Sequence, residues 1–129
     1  KNLASRTYNG IEQMKPYAIY LGRKTDYKNF DWLQKTMKGL DISLQYFPLE
    51  VCDDFIWEWL SHAKMLVTAS IWEGYGRPVG EAQALGIPVV CFDTGAHKRL
   101  VTNGIVVENH NFAKLKEAIQ QQWNNTTAT

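Results

Sequence analysis

Apolar and polar positions alternate along this chain in blocks of two kinds. Some blocks are short continuous apolar runs: Tyr17-Ala18-Ile19-Tyr20-Leu21, Met65-Leu66-Val67-Thr68-Ala69 and Pro88-Val89-Val90-Cys91-Phe92. Each is too short for a helix turn pattern and fits a strand buried on both faces. Ile42 to Phe47 and Gly104 to Val107 read as two further strands, the first stopped by Pro48. Between them lie segments with helical spacing. Phe30, Leu33, Met37 and Leu40 trace one apolar stripe, ended by Gly39 and Asp41. Phe55, Ile56, Trp59, Leu60 and Ala63 trace a second, behind Asp53 and Asp54, acidic residues suited to a helix start. A third helix follows Pro78 and stops at Gly86. A short helix is expected around Ala96–Val101, and a last one capped by Asn111, with Phe112, Leu115, Ala118 and Ile119 on its buried side.

Strands therefore alternate with helices, which predicts an α/β domain: a Rossmann-like parallel sheet with helices on both faces. Residues 1–16 carry no period and read as a lead-in segment, residues 17–123 as the domain, and residues 124–129 as a polar tail. A chain of 129 residues fits one such domain. In open parallel sheets ligands bind at the carboxyl ends of the strands. Here those ends lead into the loops Gly22–Asn29, Pro48–Asp53, Ser70–Pro78 and Asp93–Ala96.

Composition narrows the function classes. A formal net charge of +1 gives no basic face for nucleic acid. No apolar run is long enough for a membrane span, and no apolar segment follows Lys1-Asn2-Leu3-Ala4-Ser5-Arg6 as in a signal peptide. Cys52 and Cys91 sit inside apolar patterns and read as reduced core residues of a cytoplasmic protein. In that setting the Asn124 and Asn125 sequons carry no meaning. The abrupt start and polar end suggest a piece of a longer chain.

The densest chemistry lies in Glu73-Gly74-Tyr75-Gly76-Arg77-Pro78-Val79-Gly80-Glu81. Two carboxylates bracket a glycine-rich loop that runs into a helix. Backbone amides at glycines can approach a ligand closely, and a helix N-terminus favours an anion. A carboxylate accepts hydrogen bonds from vicinal hydroxyls. The set suits a ligand that is both sugar and phosphate. Upstream, Gly22-Arg23 ends the first strand and Lys28 follows five residues after Arg23, with Lys24 between them. Arg forks onto phosphate oxygens and Lys adds a point charge.

The stretch Ser70-Ile71-Trp72-Glu73-Gly74-Tyr75-Gly76-Arg77-Pro78-Val79-Gly80-Glu81-Ala82, continued by Leu85-Gly86-Ile87-Pro88-Val89-Val90, resembles the Glu-x7-Glu motif of family-4 retaining glycosyltransferases. Gly22-Arg23 with Lys28, Asp93-Thr94-Gly95, and Asn103-Gly104-Ile105-Val106-Val107 are similar to flanking elements of the same family, so the resemblance spans roughly residues 17–120. It implies the C-terminal half of a two-domain GT-B enzyme. Arg23 and Lys28 would hold the diphosphate of a nucleoside-diphosphate sugar, and Glu81 the ribose hydroxyls. Glu73 would face the transferred sugar beside the amides of Gly74, Tyr75 and Gly76. Gly22, Thr94 and Gly95 would belong to the same substrate site, and Pro48 and Leu49 would lie against the base.

The resemblance further implies that no metal or other cofactor is needed. It also implies that an N-terminal GT-B domain completes the active site, so that this chain alone binds donor weakly and transfers nothing. The whole protein would be cytoplasmic, or held peripherally at the inner face of a membrane. One departure is plain: a single strand, Ile42–Phe47, stands where such domains have two strands and a helix, so one strand–helix unit is shortened or missing. Asn29 and Ala69 stand where Gly and Pro are common.

Weaker candidates are scattered. His62, His97 and His110 show no metal-ligand spacing, and His97 reads as a solvated residue at a helix start. Trp59 and Trp72 read as core or interface residues, and Trp57, off its helix's apolar stripe, as an exposed aromatic or a contact to another domain. Three other functions fit parts of the pattern. These are a sugar-nucleotide epimerase of GT-B architecture, an inactive interaction module that kept only the fold, and a hydrolytic carboxylate pair at Glu73 and Glu81.

Overall fold

A computed structural model describes residues 15–48 and 53–126. Five strands are present among these residues: β1 (Ala18–Leu21), β2 (Leu44–Phe47), β3 (Met65–Val67), β4 (Val89–Phe92) and β5 (Gly104–Val107). Five α-helices connect or follow them: α1 (Phe30–Gly39), α2 (Asp54–Ser61), α3 (Arg77–Ala84), α4 (His97–Leu100) and α5 (Phe112–Asn125). A 3-10 turn, Asp26–Lys28, precedes α1.

The local chemistry explains the boundaries. Asp53 caps α2, its carboxylate accepting the Ile56 amide at 2.9 Å. Asn111 caps α5 in the same way, accepting from the Lys114 amide at 3.0 Å. Arg77 opens α3 one residue before Pro78, and Gly86 turns the chain out of it with φ +77°. The third strand is shorter than its apolar run: β3 ends at Val67, while Thr68, Ala69 and Ser70 stay buried as irregular chain. Helix α5 runs through Asn125, so Asn124 and Asn125 are helical rather than part of a tail.

All strand pairs are parallel and the order is β2-β1-β3-β4-β5. Alternate strand residues feed two cores. Ala18, Tyr20, Met65, Val67, Val90 and Phe92 face α1 and α5 through Leu33, Met37, Leu115 and Ile119. Ile19, Leu21, Leu66, Val89 and Cys91 face α2 and α3 through Ile56, Leu60, Val79 and Ala82. The expected α/β sheet with helices on both faces is therefore present. Cys91 is a buried thiol, and its surroundings push its pKa up to about 12. Cys52 and Leu49 lie outside the described residues, as do residues 1–14 of the lead-in segment.

Topology fixes where a ligand can sit. From β1 the chain moves outward to the edge strand β2, then returns across β1 to β3 and continues the other way. Two connections thus leave neighbouring strands in opposite directions, and a crevice opens between β1 and β3 at their carboxyl ends. The loops that border it are residues 22–29 and 68–76. With β2 at the edge, the sheet among the described residues carries one strand fewer than the family resemblance implies, in keeping with the single Ile42–Phe47 segment.

Candidate functional site

A cavity of about 700 Å³ occupies this crevice, lined by residues of both loops. Arg23, Tyr27 and Lys28 come from the loop after β1; Trp72 to Gly76 come from the loop after β3; Arg77 and Gly80 come from α3, and Leu100 from α4. Its size is within the range of small-molecule sites. A second cavity, of about 570 Å³, lies at the opposite ends of the strands, around Lys15, Pro16, Met37 and Trp123. No glycine is among the residues that line it.

The two loops are fastened together. Asn29 adopts φ +54°, a conformation open to Asn as well as to Gly, and its side-chain amide donates to the Ala69 carbonyl at 2.9 Å. The two departures from the family pattern thus meet each other. The Ile71 amide donates to the Tyr27 carbonyl at 2.9 Å, and the Tyr27 and Trp72 rings meet edge to face at 5.5 Å. Lys28, only 4% exposed, directs its ammonium across the crevice to the Glu73 carboxylate. A buried ammonium needs such a partner. Arg23 is exposed at the mouth. Lys24 lies over the rings of Phe30 and Tyr46 at 4.7 and 4.6 Å and is not among the residues lining the cavity.

The glycine loop rests on the loop after β4. The Glu73 amide donates to Thr94 Oγ1 at 3.3 Å, and the Ala96 amide donates to the Gly74 carbonyl at 3.2 Å. Gly95 has φ +57°, and a Cβ there would lie 1.8 Å from the Glu73 carbonyl oxygen. Only glycine fits so close an approach. Thr94 and Gly95 support Glu73 from behind and are not among the residues lining the cavity. Gly76 caps α3 with φ +68°, leaving the first amides of that helix near the cavity floor.

Of the residues picked out by sequence, Arg23, Lys28, Glu73, Gly74, Tyr75 and Gly76 converge on one cavity. Glu81 sits one turn into α3, apart from that lining. Its Oε1 is buried and has no hydrogen-bond partner among the described residues. Burial raises its pKa, against the opposing charge of Arg77. Gly22 closes the β1 loop by donating to the Phe47 carbonyl at 3.1 Å. Pro48 is exposed past the end of β2 and is not among the lining residues, and Leu49 lies outside the described residues.

His97 corrects the sequence expectation. It is 1% exposed rather than solvated, and its Nδ1 lies 3.0 Å from the Phe92 carbonyl. Gly76, far away in sequence, lies against its ring, so local polarity misled. Tyr27, Arg77 and Leu100 line the cavity without having been singled out. Arg77, between Gly76 and Pro78 at a helix start, was the one with a visible signal. Trp72 and Tyr75 project at the rim, 66% and 90% exposed, and Trp57 is exposed on α2. Trp72 is thus a rim residue, not core. Among the described residues no cluster of His, Cys, Asp and Glu could hold a metal ion. No helix among them is long and apolar enough to cross a membrane.

Residues 19–125 match the family described as glycosyl transferases group 1. This chain belongs to that family. Over 47 residues, 36% of this chain and 13% of the relative, it is 43% identical to the lipopolysaccharide core biosynthesis mannosyltransferase LpsB of Rhizobium meliloti (strain 1021). Its fold is similar to that of the lipopolysaccharide outer core galactosyltransferase WaaB in its apo form. The TM-score is 0.67 at 15% identity, over 88% of this chain and 42% of WaaB. It is also similar to the pneumococcal O-GlcNAc transferase GtfA, solved in complex with UDP and GlcNAc. There the TM-score is 0.61 at 20% identity, over 88% of this chain and 30% of GtfA. These are GT-B glycosyltransferases, and this chain spans less than half the length of either.

Proposed function

We propose that this chain is the donor-binding half of a retaining glycosyltransferase, taking a nucleoside-diphosphate sugar at the β1/β3 crevice. The observation that carries this is the convergence of Arg23, Lys28, Glu73 and the Gly74–Gly76 amides on one cavity at the switch point of the sheet. Arg23 and Lys28 hold the diphosphate and offset the charge that develops on it as the glycosidic bond breaks. Glu73 orients the transferred sugar through its hydroxyls, with the loop amides beside it. Glu81 takes the ribose hydroxyls, which would supply the donors that its buried Oε1 lacks. The chemistry uses no divalent metal. An N-terminal GT-B domain supplies the acceptor side, and the whole protein works in the cytoplasm or at the inner face of a membrane. GtfA, of the same fold, was solved with UDP and GlcNAc, which makes uridine nucleotides the first donors to try.

The test is calorimetric titration of the chain with UDP, GDP, ADP and their sugars. One nucleotide should bind selectively and weakly, and Arg23→Ala should weaken it by about tenfold to a hundredfold, the worth of a charge-assisted bond. Glu81→Ala should weaken it too. Absence of binding to any of them, by a folded chain and by the full-length protein alike, would favour an inactive interaction module. Sugar transfer by this chain alone would refute its role as half a site.

A further inference from the structure

His97 is the buried titratable group in this region to which the donor reading gives no task. It opens α4 at the carboxyl end of β4, 1% exposed, with Nδ1 3.0 Å from the Phe92 carbonyl oxygen. A carbonyl only accepts, so Nδ1 carries the hydrogen, and in the neutral ring the lone pair falls on Nε2. That edge of the ring lies against Gly76. A Cβ built on Gly76 would stand 2.8 Å from His97 Cδ2 and 3.2 Å from Nε2. Gly76 in turn lines the cavity and caps α3. The backbone around His97 supports the same turn: its amide donates to the Thr94 carbonyl at 3.1 Å, while Thr94 Oγ1 accepts from Glu73 and the Ala96 amide reaches Gly74.

We propose that His97 is a positioning residue: hung from the Phe92 carbonyl, its ring sets the height of the Gly74–Gly76 turn over the cavity. The consequence for donor binding rests on the function proposed above; the placement of the turn does not. An apolar side chain of similar size would support Gly76 but leave the Phe92 carbonyl without this donor. A protonated ring would aim a second N–H, with positive charge, at the N-terminus of α3, where the helix dipole is already positive. The ionisable groups that act on His97 are Glu73 from the glycine loop, Lys28 from the β1 loop and Asp93 beside its own helix. Burial outweighs the Phe92 hydrogen bond and the two carboxylates, and the pKa of His97 falls below the usual histidine value. That direction favours the neutral ring at pH 7.

The experiment measures amide hydrogen exchange by NMR at Glu73, Gly80 and Ala96, with Leu115 in α5 as reference, in the wild-type chain, His97→Ala and His97→Asn. The Asn amide nitrogen can replace Nδ1 as donor. His97→Ala should speed exchange at the three amides by about tenfold or more over Leu115, the size expected of local opening, and His97→Asn, which keeps the donor to Phe92 but not the ring edge against Gly76, should restore part of the protection. Equal acceleration at all four amides in both variants would reduce His97 to an ordinary core residue and overturn the proposal, as would unchanged exchange. Titration of the same samples with UDP, GDP and ADP separates the two ideas. Protection that depends on His97 in a chain that binds none of them would remove the donor reading and leave the positioning role standing.

Discussion

Replacing Gly95 with alanine tests how the glycine loop is held. The added Cβ would stand 1.8 Å from the Glu73 carbonyl oxygen and 2.7 Å from that of Gly74, where real Cβ contacts essentially never fall under 3.0 Å. The obstacles are backbone atoms, so no side chain can swing away. Glu73 and Gly74 must retreat by more than an ångström, or the loop after β4 must. Alanine at φ +57° adds strain of about 1–2 kcal/mol on its own. Stability should therefore drop by about 1–3 kcal/mol, because the loops can separate at the cost of the Thr94 and Ala96 hydrogen bonds. Function should suffer more, since displacement by about 1 Å can cost about a hundredfold where groups must be placed to a fraction of that distance. The assay pairs thermal melting with nucleotide titration. Gly39→Ala is the control: nothing lies within 4 Å of a Cβ there, and its helical position favours alanine. A Gly95→Ala chain that melts and binds like wild type would refute the claim that this contact shapes the site.

Lys28→Met leaves the Glu73 carboxylate without its ammonium and should cost on the order of 3 kcal/mol in a denaturant titration. The double variant with Glu73→Gln should recover most of that stability yet bind no nucleotide, and equal stability of single and double variants would show that the pair is not coupled. Glu81→Gln should weaken nucleotide binding while raising stability at neutral pH by about 1 kcal/mol. Here the sign follows from the raised pKa: burden from ionised Glu81 is absent below its ordinary value of 4.5 and grows as pH rises through the folded value, so the gain should vanish in acid melts. Asp53→Ala removes the α2 cap and should lower stability by about 1 kcal/mol without touching binding, as melting and calorimetry together would report.

Much of this was legible in the sequence because it rests on local pattern. The runs at 18–21, 65–67 and 89–92 are buried strands because every position is apolar, and Phe30, Leu33 and Met37 share a face because of their spacing. Asn111 as a cap and Gly86 as a helix exit follow from their chemistry alone. What was not legible depends on contacts between distant loops. His97 sits among Ala96, Lys98 and Arg99, yet it is buried, with Gly76, distant in sequence, close against its ring. The position of Thr94 and Gly95 behind Glu73, and the bond from Asn29 to Ala69, likewise need the tertiary pairing of loops. The site itself was half visible: Arg23, Lys28 and Glu73 could be named, while Tyr27, Arg77 and Leu100 join them only through the sheet order.

The claim that a nucleoside diphosphate lies across the β1/β3 crevice is tested most directly by mapping amide chemical shifts during titration with UDP, GDP and ADP. The account predicts that one of them shifts residues 22–29 and 71–81 and leaves Lys15, Met37 and Trp123, around the cavity at the other end of the strands, unmoved. Shifts centred on that opposite cavity, with the glycine loop undisturbed, would contradict it.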